Sequence, residues 1–360
     1  MAFHQSEILG TLFESTIRYT NVKPVGLGPF GVLCSAYDSF VQQTVAIRKI
    51  IDPFSTVTLA KRTFLEVKLL KQLLHENLIC LSDVFISPSE EVYLVIEPVG
   101  CDLGRIIKHT RLDETTTKFF MYQIMRGLKY LHSAGVMHYD LQPSNLLVNQ
   151  ENTLKICDFG ITILGESQTV GYVPSKFYRA PESNMLAWQP HGLRVDVWSA
   201  GCIFAEMLRG VPLFPGADQL NQLNLTTDAI GDPPQEFIDR ITSKITREFV
   251  DSLPKKGPYS HQLKTIFAGF EESAVDLLEK ILVFTPEKRI SAGDALQHPY
   301  LALYHDPSNE PVAEIQFDWS FKDADIPKET WRAMIYAEAE HFCTTMLMAI
   351  NDLSGLAWNN

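Results

Sequence analysis

Residues 26–37 read Gly26-Leu27-Gly28-Pro29-Phe30-Gly31-Val32-Leu33-Cys34-Ser35-Ala36-Tyr37. The glycines match G-x-G-x-x-G, a spacing that lets backbone amides approach phosphate groups. Taken alone, the spacing equally describes an ordinary glycine-rich turn of a β-hairpin. The residues after the third glycine separate two nucleotide-binding folds. A dinucleotide fold needs a helix directly after it. Here Val32–Tyr37 continues as a strand, which predicts a glycine-tipped hairpin lying over nucleotide phosphates.

Outward from this hairpin, the first hundred residues are strand-rich. Thr44–Ile51 and Val92–Ile96 are short, β-branched and bounded by turn residues. One helical pattern interrupts them, Val57–Leu74, with apolar residues at Leu59, Phe64, Val67, Leu70 and Leu74. From about Asp102 helical patterns dominate: Thr115–Ser133, closed by Gly135, then Val195–Arg209 and Ser273–Leu282. Pro and Gly cluster at 211–216 and 231–234, which read as loops. The expectation is an α+β chain with a small β-rich lobe, a larger helical lobe and a cleft between them.

The whole chain has 360 residues, 46% apolar and 21% charged, enough for a packed core. Asp plus Glu is 43 against 31 for Lys plus Arg, a formal charge of −12, which argues against a general nucleic-acid binder. The six cysteines are scattered without metal spacing and read as reduced thiols of an intracellular protein. The first ten residues lack the basic and apolar regions of a secretory signal. The most apolar run, Val195–Leu208, carries Asp196, Trp198, Ser199 and Glu206 and is too polar to span a bilayer, so no membrane partner is expected.

Chemistry-bearing residues then fall in a fixed order. Val45-Ala46-Ile47-Arg48-Lys49 comes after the glycine loop, and Glu66 sits within the 57–74 helix. His138-Tyr139-Asp140-Leu141-Gln142-Pro143-Ser144-Asn145 comes next, then Asp158-Phe159-Gly160 and Ala180-Pro181-Glu182. Over residues 20–301 this ordered set resembles the eukaryotic protein kinases, whose fold has two lobes with ATP between them. Asp196-Val197-Trp198-Ser199-Ala200-Gly201 and Arg289 extend the likeness. Val170-Gly171-Tyr172 stands where MAP kinases carry Thr-x-Tyr. Pro53-Phe54-Ser55, Ala60-Lys61-Arg62-Thr63, Phe317-Asp318-Trp319 and the tail His305–Val312 are most similar to the stress-activated branch, in particular the fungal high-osmolarity-response MAP kinases.

The resemblance implies a proline-directed Ser/Thr kinase using ATP and Mg²⁺ in an osmotic-stress cascade. It implies that Asp140 accepts or orients the proton of the attacking hydroxyl, and that Asn145 and Asp158 are metal ligands. Glu66 holds the strand cation, here Arg48, on the α/β-phosphates. Gly26, Leu27, Gly28, Pro29, Phe30, Gly31, Val32, Leu33, Cys34 and Arg48 contact the nucleotide. Tyr172 is the expected phosphorylation site, with Thr169 one residue before Val170 as a substitute. Asp306 and Glu310 are expected to dock basic peptides of activators, substrates and phosphatases. The implied activator is a dual-specificity MAP kinase kinase, and the implied location is cytoplasmic, with the nucleus reached on activation. The expected domains are an N-terminal segment 1–19, lobes at 20–97 and 98–301, and an extension 302–360. The extension carries ten acids and three bases.

Several positions depart from the family pattern. Arg48 replaces Lys, and the neighbouring Lys49 points to the opposite strand face by alternation. Gln142 replaces the Lys two residues after Asp140. Pro29 lacks an N–H in the glycine loop. Val170 cannot be phosphorylated, Tyr139 replaces the Arg before Asp140, and Leu65 stands where a second helix Arg is usual, so an acceptor and part of its receptor are absent together. Arg62 and Arg179 remain, with Lys176 in place of Arg on the Tyr172 side. Ile96 narrows the space behind the adenine. Two readings stay open: an active kinase, or a weakened or inactive pseudokinase that binds pathway partners.

Overall fold

The computed structural model describes residues 2–28, 31–98, 100–159, 176–184, 192–255, 257 and 262–356, with the backbone alone for 176, 184 and 343–356. Pro29, Phe30, Gly160, Thr169, Val170 and Tyr172 lie outside the described residues. The chain divides into two units. The first comprises Met1–His75, Ile79–Val99 and Phe317–Asn360; the second comprises Glu76–Leu78 and Gly100–Gln316.

The first unit begins with the hairpin β1 (Phe3–Ile8) and β2 (Thr11–Thr16). A five-stranded antiparallel sheet comes next. Its strands are β3 (Tyr19–Gly28), β4 (Gly31–Asp38), β5 (Gln43–Ile50), β6 (Leu81–Ile86) and β7 (Val92–Ile96), in spatial order β3-β4-β5-β7-β6. One sheet face packs under the hairpin: Val32, Cys34, Val45, Ile47, Tyr93 and Val95 join Ile8 and Phe13 in one core. Tyr93 and Phe85 stack with centroids 4.8 Å apart, and Phe13 meets Tyr93 edge-on at 5.1 Å.

Helix α1 (Val57–Gln72) starts at Thr56, whose hydroxyl accepts the Leu59 amide at 3.1 Å. The last part of the chain packs on it. Trp331, fully buried, lies 5.4 Å from the Phe64 ring, and Phe321 meets Phe64 edge-on at 5.4 Å. Lys71 pairs with Glu338 at 2.7 Å, and Lys68 sits 4.4 Å over the Phe321 ring.

The second unit is mostly helical. A small sheet of β8 (Cys101–Asp102), β9 (Leu146–Val148) and β10 (Leu154–Ile156) has the order β10-β9-β8. Helices α2 (Leu103–His109) and α3 (Glu114–Ser133) lie between β8 and β9 in the chain. Asp102 and Asp113 cap them, accepting the Arg105 amide at 2.9 Å and the Thr116 amide at 2.7 Å. After α4 (Pro181–Asn184), helix α5 (Arg194–Arg209) is buried along nearly its whole length, its Asp196, Ser199 and Glu206 included, which explains its dense apolar content. Gly210 ends it in a left-handed conformation, φ 79°. Helices α6 (Gln219–Ile230), α7 (Gln235–Ile238), α8 (Lys244–Ser252), α9 (Gln262–Ile266), α10 (Glu272–Ile281) and α11 (Ala292–Leu296) complete the unit. The long helix α12 (Lys328–Leu356) belongs to the first unit and is the element that packs along α1.

No helix among the described residues is long and apolar enough to cross a membrane. The cysteines Cys34, Cys80, Cys101, Cys157 and Cys202 are free thiols.

Candidate active site

In the first unit the glycine stretch forms the end of the β3–β4 hairpin. Leu27 faces Val32 and Gly28 faces Gly31 across the pair. Gly31 has φ 135°, and a Cβ there would run into the Lys49 carbonyl, so only glycine lets β4 approach β5 at this point. No helix comes after it, as the sequence of Val32–Tyr37 predicts; β4 continues to Asp38.

Strand β5 sorts its two adjacent cations by pleat. Residues 43–49 pair with 38–32 of β4 with no break in register. Val45 and Ile47 join the core beneath the hairpin, and Lys49 points the same way, donating to the Leu12 carbonyl at 2.8 Å. Arg48 faces oppositely and forms an ion pair with Glu66 of α1. Glu66 is 4% exposed. Burial raises its carboxyl pKa, but Arg48 and Arg62 outweigh burial and hold it below the usual carboxylate range. The strand cation and the helix acid are therefore brought together, with Arg in place of Lys. Ile96 is half-buried on β7, opposite Ala46 of β5.

In the second unit the loop from His138 to Asn145 wraps around one carboxylate. Asn145 donates from Nδ2 to the Asp140 carbonyl at 2.8 Å and to Asp140 Oδ2 at 3.1 Å. Gln142 Nε2 donates to the same Oδ2 at 3.0 Å. Gln142 thus keeps the contact to the aspartate that its position allows, without a cation's charge. Both donors engage Oδ2 and so fix the orientation of the Asp140 carboxylate. Asn145 spends its NH₂ on Asp140, and its Oδ1, which also accepts from Ser144 Oγ at 3.5 Å, is the side-chain oxygen it can offer as a ligand.

Asp196, in the first turn of α5, sets the conformation of this loop. Its buried carboxylate accepts the Tyr139 amide at 2.8 Å and the His138 amide at 2.9 Å, and meets His132 Nε2 at 2.9 Å. Tyr139 is held at φ 72°, a left-handed position that costs a residue with a side chain about 1–2 kcal/mol. His138 Nε2 contacts the Cys157 carbonyl at 3.0 Å, and the Cys157 amide donates to the Asn145 carbonyl at 2.9 Å. These bonds tie the segment ahead of Asp158 to the loop of Asp140. Asp158 itself is half-buried at φ 67°, and Phe159 behind it is buried against His138, with centroids 5.2 Å apart.

Glu182 and Arg289 are 107 residues apart in sequence and meet through a buried bidentate pair at 2.9 and 3.0 Å. Tyr178 donates to Glu206 at 2.6 Å, and Ser199 donates to the Tyr178 carbonyl at 2.7 Å, anchoring the chain before Ala180 on α5.

The tail positions separate. Asp306 is exposed, and its Oδ1 accepts from Ser308 Oγ at 2.7 Å and the Ser308 amide at 2.9 Å; these bonds hold its carboxyl below the usual range. Glu310 is buried, pairing with His305 at 2.8 Å and Lys129 at 3.3 Å, and so anchors the segment to α3. Asn309 is gripped by Arg126, through its carbonyl at 2.6 Å and its Oδ1 at 2.7 Å. The roles of Arg126 and Lys129 are invisible in the sequence, where they are two more charges on an amphipathic helix.

A family model described as a protein kinase domain matches residues 19–301. The mitogen-activated protein kinase mpkC of Aspergillus terreus is 62% identical over 342 residues, 95% of this chain and 92% of that protein. The chain belongs to the mitogen-activated protein kinases. Mitogen-activated protein kinase HOG1 of Eremothecium gossypii is 55% identical over 340 residues, covering 94% of this kinase and 75% of its relative. The mpkC of Aspergillus oryzae is 57% identical over 335 residues, 93% and 96% of the two chains. The β-rich and helical units are the two lobes of the protein kinase fold, and the kinase is a Ser/Thr protein kinase using ATP and a divalent metal. These relatives favour an enzyme over a pseudokinase that only binds partners.

The donors present suit a divalent metal held jointly with ATP phosphates. Asp158 offers a carboxylate and Asn145 an oriented amide oxygen, and Mg²⁺ takes few protein ligands when phosphates supply the others. No cluster of three or more metal-binding His, Cys, Asp or Glu occurs among the described residues.

Proposed function

We propose that this kinase transfers the γ-phosphoryl group of Mg·ATP to Ser or Thr followed by Pro, in an osmotic-stress cascade. Arg48, oriented by Glu66, grips the α/β-phosphates. Amides of the glycine loop, from Gly26, Leu27, Gly28, Phe30 and Gly31, cap the phosphates. Asp140 receives the substrate hydroxyl proton as the oxygen attacks phosphorus and the bond to ADP breaks. Asn145 and Asp158 would hold Mg²⁺, which would supply neutralisation of the phosphate charge.

A dual-specificity MAP kinase kinase acts on Tyr172, with Thr169 as the second acceptor in place of Val170. Asp306 contributes to docking basic segments of activators, substrates and phosphatases, and Glu310 acts there by fixing the backbone. The kinase works in the cytoplasm and enters the nucleus when activated.

The observation that supports this reading most is the Arg48–Glu66 pair: the helix acid engages the strand cation despite its altered identity. The test is a phosphotransfer assay with the activated chain, Arg48→Lys and Asp140→Ala. Turnover that Asp140→Ala abolishes supports it. No turnover in the native chain or in Arg48→Lys refutes it.

A further inference from the structure

In the helical unit, the C-terminal ends of α2 and α5 border an open pocket of about 460 Å³. None of the active-site residues lines it. Its floor is apolar, with Ile107, Met207 and Leu208 all buried. Its rim carries Lys108, His109, Arg111 and Arg209, every one exposed, and Val211, an apolar side chain left 50% exposed. No Asp or Glu lines it.

The four basic groups make no ion pair or side-chain hydrogen bond among the described residues. Their neighbours do: Arg105 pairs with Asp102 at 3.1 Å, and Lys118 with Glu114 at 3.2 Å and Glu271 at 2.8 Å. In a chain of charge −12, an uncompensated basic rim is the exception. Helix dipoles account for part of it. Lys108, His109 and Arg209 occupy last turns, where cations face carbonyl ends. Arg111 lies beyond α2, and three full positive charges exceed two carbonyl ends of about half a charge each.

We propose that this pocket docks an acidic peptide segment of a partner protein. One apolar side chain of the segment fills the floor, and flanking Asp or Glu residues pair with Lys108, Arg111 and Arg209. A central apolar anchor ringed by charge pairs is how small interfaces concentrate affinity and select partners. The two arginines present planar forks suited to carboxylates. The volume suits one or two side chains. A free inorganic anion leaves the apolar floor unused, and the remaining charge of the chain repels an anionic bilayer.

The test uses the full chain and fluorescein-labelled heptapeptides with a central Leu, Ile, Phe or Met flanked by two glutamates on each side. Anisotropy is expected to show saturable binding of at least one peptide, weakening as salt rises. Replacing Glu by Gln in the peptide, or Arg111→Glu with Arg209→Glu in the protein, should weaken binding about tenfold or more. Arg105→Glu, already paired outside the pocket, should change it less than about twofold. Arg111→Gln with Arg209→Gln keeps the test decisive should the charge reversal unfold the chain. Absence of saturable binding overturns the proposal. So does equal binding by the arginine variants, or binding only to inorganic phosphate or to phosphatidylserine vesicles.

Discussion

Arg48→Ala is the perturbation that bears most directly on how this active site is built. The substitution leaves Glu66 in a helix face where it is 4% exposed, with its principal partner gone. Removing one member of a buried ion pair costs about 3–5 kcal/mol. Arg62 still acts on Glu66, and the Arg48 side chain is 19% exposed, so the lower end, about 3 kcal/mol, is expected. For a chain of 360 residues that corresponds to a fall in Tm of about 4 °C.

The pH dependence has a definite sign. In the native kinase the Glu66 pKa is depressed, so its stabilisation is complete above the unfolded value of about 4.3 and is lost as pH falls through the folded value. In the variant, burial dominates and raises that pKa above the unfolded value. Its penalty is then full at neutral pH and vanishes below about pH 4.3. Both effects narrow the gap between the proteins on acidification. Urea unfolding at pH 7 and pH 4 measures it. Arg48→Met with Glu66→Leu should recover stability to within about 1 kcal/mol of native, because the stranded charge is gone, yet remain inactive. A loss below about 1 kcal/mol at pH 7 in the single variant, or a gap that widens in acid, would falsify the reasoning.

Other substitutions test the remaining parts. Asp196→Asn should lower stability by about 2–4 kcal/mol, since hydrogen bonds to a charged acceptor are worth about 1.5–3 each, and kcat should fall with it as Tyr139 relaxes; thermal denaturation beside steady-state kinetics checks both. Lys49→Met should cost about 1.5–3 kcal/mol through the lost charged bond to Leu12 and the lost pair with Glu91 at 3.6 Å, and leave kcat within about twofold; a collapse of kcat in a folded variant would reassign the phosphate cation. Gln142→Lys should raise kcat, on the order of tenfold, by placing a charge-assisted donor beside Asp140 with the same reach; unchanged kcat would show that neutral Gln142 already suffices.

Local patterns account for much of this molecule. The hairpin of Gly26–Tyr37 was legible because its glycines lead into a strand rather than a helix. Helices at Val57–Gln72, Glu114–Ser133 and Arg194–Arg209 lie within a residue or two of their periodic patterns, since apolar spacing and caps are local signals. The choice of Arg48 over Lys49 was legible too, because side chains alternate along any regular strand. The β1–β2 hairpin and helix α12 were not legible at the termini. Their sequences carry no motif, and the surfaces they cover are settled by partners far away in the chain.

The identity of the family was likewise written in order and spacing, before any contact was known. Spacing cannot encode which distant groups meet. Asp196 reads as one letter of a motif extension, yet it holds the backbone of His138 and Tyr139 across 58 and 57 residues. Glu310 reads as a docking acid, yet it is buried against Lys129 and His305. Trp331 reads as part of an acidic extension, yet it is buried on Phe64 in the β-rich unit. Backbone propensity and apolar period act over a few residues, so the sequence alone determined the elements, the order of the catalytic groups and the face on which each cation stands. Burial and partner choice depend on which surfaces close together in space, and only the tertiary structure decided that Asp196 holds the loop of Asp140 and that Glu310 and Trp331 anchor the chain.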